Sequence, residues 1–198
     1  MKAIIFDLDG TLVEFTREYR ELLATTFETV TGDVREAWID TYNEAFFERF
    51  RACDPDPVRR AFDAVEAVDD AERLAETLHE REVSLSEPPM SVHADLERLG
   101  NAHQLGVLTN GVREWQLGKL RAHDLDSHFD TIVASYDVGA HKPDTAPFRL
   151  VEERLPADEY AMIGDSDADI EGARAAGWGT YRYDGTGFGA LPDAIEWS

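Results

Sequence analysis

The chain opens Met1-Lys2-Ala3-Ile4-Ile5-Phe6-Asp7-Leu8-Asp9-Gly10-Thr11, an apolar run that stops at two aspartates two residues apart. Ile4, Ile5 and Phe6 read as a buried strand. The two-residue period of a strand then places Asp7 and Asp9 on the same side of the chain, just past the strand end. Carboxylates that close repel each other unless a cation lies between them. A chain that begins this way has to cover a strand and supply positive charge at its tip.

The second half of the sequence shows what covers it. From Ser91 onward, helical and strand patterns alternate. Helices are expected over 91–99, with Ser91 as its N-cap, and over 113–123, 144–155 and 167–176. Strands are expected over 104–109, 129–134, 160–164 and 178–183. Repeated units of this kind imply an α/β fold, a parallel sheet with helices on both faces. Ligands of such sheets bind just beyond the carboxyl ends of the strands.

Between the two lies a stretch that reads as wholly helical, from about 16 to 87. Apolar residues at helical spacing predict helices over 18–30, 34–50, 57–68 and about 70–82. Asp56-Pro57 looks like an N-cap followed by a proline at the first helical position. The aromatic stripe Trp38, Tyr42, Phe46 and Phe50 reads as the core of this helical unit. Glu87-Pro88-Pro89-Met90 reads as the linker back to the alternating pattern. A length of 198 residues suits one domain plus a modest insertion.

Acidic residues number 41 against 19 lysines and arginines, a net charge of −22. Only Lys2, Lys119 and Lys142 are lysines. Such a surface argues against nucleic-acid and anionic-membrane partners. An acidic surplus with scarce lysine resembles proteins of salt-in halophiles, in which concentrated salt screens the self-repulsion. No apolar run approaches the length of a membrane span, and no charged-then-apolar leader precedes the first strand, so a cytoplasmic location is expected. Cys53 is the single cysteine, in a polar loop, and reads as an incidental thiol. Charge repulsion mildly favours a monomer.

Four polar stretches fall where the sheet should bind ligands: Asp7-Leu8-Asp9-Gly10-Thr11, Thr109-Asn110-Gly111, His141-Lys142-Pro143-Asp144 and Gly164-Asp165-Ser166-Asp167-Ala168-Asp169. In this order they resemble the four motifs of the haloacid dehalogenase-like (HAD) hydrolase superfamily, and the resemblance covers nearly the whole chain. It implies a Rossmann-like catalytic core from 1–13 and 88–198 and an inserted helical cap domain of the C1 type over 14–87. It implies that Asp7 is the nucleophile and forms an aspartyl-phosphate, and that Asp9 is the general acid and then the general base. Gly10 would let the backbone approach a phosphate. Thr109 and Asn110, with the backbone N–H groups around Asn110 and Gly111, would hold phosphoryl oxygens. Lys142 would neutralise phosphate charge. Mg²⁺ would be held by the Asp7 carboxylate, the Asp9 carbonyl and Asp165. Asp169, four residues after Asp165 and on the same helix face, would hold a metal-bound water or Lys142.

The resemblance also narrows the chemistry. Haloacid dehalogenases of this superfamily lack the second aspartate of the first motif, whereas Asp9 is present here. Its phosphonate hydrolases use a cap lysine, and no lysine lies between Lys2 and Lys119. The expected activity is Mg²⁺-dependent hydrolysis of a small phosphate monoester. A phosphomutase shares these motifs and is the first alternative; a non-catalytic HAD-like binding module, which a missing motif carboxylate would favour, is the second.

Overall fold

The first apolar run is buried throughout: Ala3, Ile4, Ile5 and Phe6 have no exposed surface. Burial on both faces is what a central parallel strand requires. The computed structural model describes residues 1–197. In chain order the elements are β1 (Lys2–Phe6), β2 (Glu14–Phe15), α1 (Tyr19–Thr31), α2 (Glu36–Arg51), α3 (Pro57–Asp63), α4 (Ala71–Ser84), β3 (Ser86–Glu87), α5 (Val92–Gly100) and β4 (Gln104–Thr109). They continue with α6 (Arg113–Ala122), β5 (Thr131–Ala134), α7 (Thr145–Arg154), β6 (Glu159–Gly164), α8 (Asp167–Ala176) and β7 (Gly179–Arg182). No helix among the described residues is long and apolar enough to cross a membrane.

The chain forms two compact units, Met1–Glu14 with residues from Glu87 onward, and Phe15–Ser86. In the first, five parallel strands run in the order β5-β4-β1-β6-β7, as expected for an α/β fold. The strand period divides β1 between two cores. Ile4 and Phe6 pack with Val107, Leu120, Ile163 and Phe188, whereas Ala3 and Ile5 pack with Leu108, Val133, Phe148 and Met162. Each fully buried Ile or Phe contributes roughly 1.5–3 kcal/mol. These two layers clamp β1 and so fix where its carboxyl end lies.

The second unit is helical. α1 packs on α4, and α3 packs on both α2 and α4. Its centre is Phe27, Tyr42 and Phe62, with ring centroids 5.3 Å apart for Phe27–Phe62 and 4.4 Å for Tyr42–Phe62. Tyr42 therefore lies in the core as expected, while Phe47 beside the stripe is 49% exposed. Glu82 is buried and accepts a hydrogen bond from the Tyr19 hydroxyl at 3.0 Å.

Three local expectations are corrected. α3 stops at Asp63 rather than 68, because Val65 and Val68 close successive three-residue turns onto Phe62 and Val65. Asp56 precedes Pro57 but makes no side-chain cap: its φ of 53° is left-handed, not the extended backbone from which a side chain reaches the helix amides. Ser91 likewise makes no cap, and its hydroxyl donates to the Asp95 carboxylate at 2.7 Å.

Candidate active site

Strands β4, β1 and β6 are neighbours, so the polar stretches that follow them meet at one edge of the sheet. Asp7 follows β1 directly, and its N–H still donates to Ile163 O at 2.8 Å, which holds it in line with β6. Oxygens of Asp7, Asp165 and Asp169 lie within 4.8 Å of one another. Lys142 arrives from the loop between β5 and α7. Its Nζ is 2.8 Å from Asp7 Oδ1 and 2.6 Å from Asp169 Oδ1, and it donates to Leu108 O at 2.8 Å. Its side chain is 2% exposed.

Neighbouring residues hold this arrangement. The Lys142 N–H donates to Asn110 Oδ1 at 2.9 Å, and Asn110 Nδ2 donates back to Lys142 O at 3.1 Å. The Asn110 side chain, expected at the phosphate, is thus committed to bracing the Lys142 backbone. The Gly111 N–H, expected among the phosphoryl donors, is engaged as well: it donates to the buried Ser135 hydroxyl at 3.0 Å. Ser135 Oγ is 2.8 Å from His141 Nδ1. Thr109 lies at the end of β4, buried, and its Oγ1 accepts from Gln116 Nε2 at 2.9 Å.

Asp165 and Asp169 reach the site differently from the expected shared helix face. Asp165 lies before Ser166, which caps α8, so it is not helical. Asp169 is in the first turn, and its Oδ2 accepts from the Ser166 N–H at 3.1 Å and the Ser166 hydroxyl at 2.6 Å. Two glycines make room for these carboxylates. Gly10 has φ +84°, and a Cβ there would lie 2.6 Å from Asp165 Oδ2. A Cβ on Gly164 would lie 2.4 Å from Asp169 Cγ. In this structure the group that crowds Gly10 is Asp165. Thr11 completes the support by donating to Asp165 Oδ1 at 3.1 Å.

Asp7 and Asp9 do not form the adjacent pair that strand period suggests. β1 ends at Phe6, and beyond it the backbone turns, with the N–H groups of Thr11, Leu12 and Val13 all directed at Leu8 O. Asp7 faces Lys142 and Asp169. The Asp9 carboxylate faces α6, where Lys119 Nζ lies 2.7 and 2.8 Å from its two oxygens and Gln116 Nε2 donates to Oδ2 at 2.9 Å. Each aspartate has its own lysine. Lys2 alone of the three lysines stays at the surface, in an ion pair with Glu159.

Electrostatics follow from burial. Burial pushes the Asp7 carboxyl above the usual carboxylate range; Lys142 opposes the shift and Asp169 adds to it. Burial works against the Lys142 ammonium, yet Asp7 and Asp169 outweigh it and hold Lys142 above its usual range. Three carboxyl groups face one ammonium, so with all three ionised the cluster carries two uncompensated negative charges. With an all-oxygen donor set, that deficit fits a hard divalent cation.

Sequence reasoning missed Lys119, Gln116, Thr11 and Ser135. One signal pointed to Lys119: a chain that uses only three lysines spends one on a helix directly after the Thr109 strand.

Comparison with known proteins bears on the family. The model of the haloacid dehalogenase-like hydrolase family matches residues 1–177. The pyrophosphatase PpaX of Bacillus velezensis is 31% identical over 187 residues, 88% of this chain and 79% of that protein. A phosphorylated carbohydrates phosphatase of Thermotoga maritima is 29% identical over 189 residues, 89% of this chain and 82% of that protein. Among solved structures, the magnesium-bound HAD-hydrolase YfnB of Bacillus subtilis superposes with a TM-score of 0.64 at 27% identity, covering 90% of this chain and 85% of that one. A family match across the four strand-end stretches, on a sheet that gathers their carboxylates around a buried lysine, places this chain in the haloacid dehalogenase-like hydrolase family.

Proposed function

We propose that this hydrolase is a Mg²⁺-dependent phosphatase that transfers the phosphoryl group of a small phosphate monoester first to Asp7 and then to water. The observation that carries the reading is the separation of the two first-motif aspartates, each held by its own lysine. Separate environments suit separate roles. An Asp7 oxygen attacks phosphorus as the P–O ester bond breaks, and Asp9 gives its proton to the departing oxygen. Water then attacks the aspartyl-phosphate, Asp9 takes a proton from it, and the bond from phosphorus to Asp7 breaks to release inorganic phosphate.

Lys142 lies beside the attacking oxygen and offsets the charge that gathers on the phosphoryl group. Asp169 holds Lys142 on its other side. Thr109 offers a buried hydroxyl to a phosphoryl oxygen, and Asn110 acts through the Lys142 backbone. Mg²⁺, bound by the Asp7 and Asp165 carboxylates and the Asp9 carbonyl, would supply further positive charge against the phosphoryl oxygens. The helical unit takes the part of a cap, and its loops choose the ester. The relatives named above act on pyrophosphate and on phosphorylated carbohydrates by their names, which supports phosphoryl chemistry over dehalogenation.

The test is turnover of p-nitrophenyl phosphate with Mg²⁺ in high salt, followed by a panel of nucleoside monophosphates, phosphoglycolate, hexose phosphates and pyrophosphate. Turnover that Asp7→Asn abolishes supports the reading. Turnover that survives Asp7→Asn removes it, and a hexose phosphate isomerised rather than hydrolysed moves the assignment to a mutase.

A further inference from the structure

We infer that Lys119, acting with Gln116, is the positioning residue for Asp9 and thereby governs how well this enzyme expels a leaving group that needs a proton. The inference rests on the phosphatase reading above and adds two residues that none of the four strand-end stretches contains.

Lys119 is an unusual residue in this chain. Its side chain is 3% exposed, in a protein that carries only three lysines. Burying an ammonium costs several kcal/mol unless a well-placed anion answers it. The anion here is Asp9, whose two oxygens lie 2.7 and 2.8 Å from Nζ. The Asp9 side chain is itself 35% exposed, so packing alone leaves it a choice of rotamers. The bidentate ammonium removes that choice.

Gln116 extends the device. It lies three residues before Lys119, on the same face of α6. Its Nε2 donates to Asp9 Oδ2 and Thr109 Oγ1, both at 2.9 Å, and reaches Asn110 O at 3.3 Å. The Asn110 carbonyl only accepts, so the amide presents its nitrogen on this side whichever protonation state Asp9 is in. One amide therefore ties the carboxylate proposed to move the proton to the hydroxyl proposed to hold the phosphoryl group. As the ester P–O bond breaks, the proton passes from Asp9 to the leaving oxygen, and Asp9 is left as a carboxylate. Lys119 then holds that carboxylate in place until it accepts a proton from the attacking water.

The test compares p-nitrophenyl phosphate with phenyl phosphate, two esters of nearly the same shape. The phenol leaving group is the more basic and depends more on the proton. Lys119→Met should lower kcat on phenyl phosphate about tenfold more than kcat on p-nitrophenyl phosphate, a part of the 10²–10⁴-fold that general acids supply. The inhibition constant of inorganic phosphate should not move. Gln116→Met, which changes no charge, should shift the ratio in the same direction, and it carries the test if Lys119→Met does not fold. Equal losses on the two esters, or no loss, in the folded variants would overturn the inference. Turnover that survives Asp7→Asn would instead overturn the phosphatase reading, so the two failures are distinguishable.

Discussion

Replacing Lys142 with methionine keeps the length of the side chain and removes the charge at the centre of the carboxylate cluster. The ammonium donates to Asp7 Oδ1 and to Leu108 O, both at 2.8 Å, and lies in an ion pair 2.6 Å from Asp169 Oδ1. The variant leaves two buried carboxylates facing each other and removes the lysine donor from Leu108 O. Breaking a buried ion pair from one side costs roughly 3–5 kcal/mol. A domain has only about 5–15 kcal/mol of stability in total. Part of the loss should be recoverable. Asp169→Asn in the Lys142→Met background removes one of the stranded charges and should restore at least about 1 kcal/mol. Mg²⁺ should stabilise the same variant more than it stabilises the parent, because a cation answers the charge the lysine left. The assay is urea unfolding at fixed salt, with and without MgCl₂, followed by tryptophan fluorescence. Trp115, Trp178 and Trp197 lie in the sheet-bearing unit and Trp38 in the helical one, so the signal is weighted to the unit that carries the site. A loss below about 1 kcal/mol, or a double variant no more stable than the single one, would refute the account of Lys142 as the buried counter-charge.

Other perturbations reach different parts of the structure. Gly10→Ala places a methyl against Asp165 at a left-handed φ, so it should cost about 1–2 kcal/mol of stability. It should also weaken Mg²⁺ binding on the order of tenfold by calorimetry; unchanged binding would contradict the crowding at Asp165. In the helical unit, burial pushes the Tyr19 and Tyr42 phenols upward, with Glu82 adding to the shift. A raised folded-state value contributes stability that is present below the unfolded value, about 10, and is lost as pH rises beyond it, by up to about 1.4 kcal/mol per pH unit for each phenol. Tyr42→Phe should flatten the fall in stability between about pH 10 and 12; an unchanged slope in alkaline melts would refute this. The net charge of −22 should make the protein salt-dependent, with the melting midpoint rising by about 5 °C between 0.1 and 2 M KCl. A flat profile would remove the expectation of adaptation to high salt.

Much of this molecule was legible in its sequence for local reasons. An unbroken apolar run marks a strand covered on both faces, and alternating helix and strand patterns imply parallel order, so β1, β4, β6 and the α/β class could be read directly. Strand ends then pointed to Asp7, Thr109, Lys142 and Asp165, because a parallel sheet places its ligand contacts there. Helix ends were less legible. Asp56 and Ser91 have the residue types of N-caps, but neither has the extended backbone of a capping residue and neither side chain makes the capping bond.

What only the tertiary structure decided is the direction of each side chain once regular backbone stops. The strand period predicts that Asp7 and Asp9 share a side, yet the period ends with β1. The turn onto Leu8 O then sends Asp7 toward Lys142 and Asp9 toward Lys119. Asn110 and Gly111 show the same limit: their polar groups could be listed from sequence, but only the fold shows that Lys142 and Ser135 already occupy them. Sequence names the charged residues at the end of a sheet. Which charge answers which depends on contacts between residues more than a hundred positions apart, 110 between Asp9 and Lys119 and 135 between Asp7 and Lys142, and no local pattern encodes those.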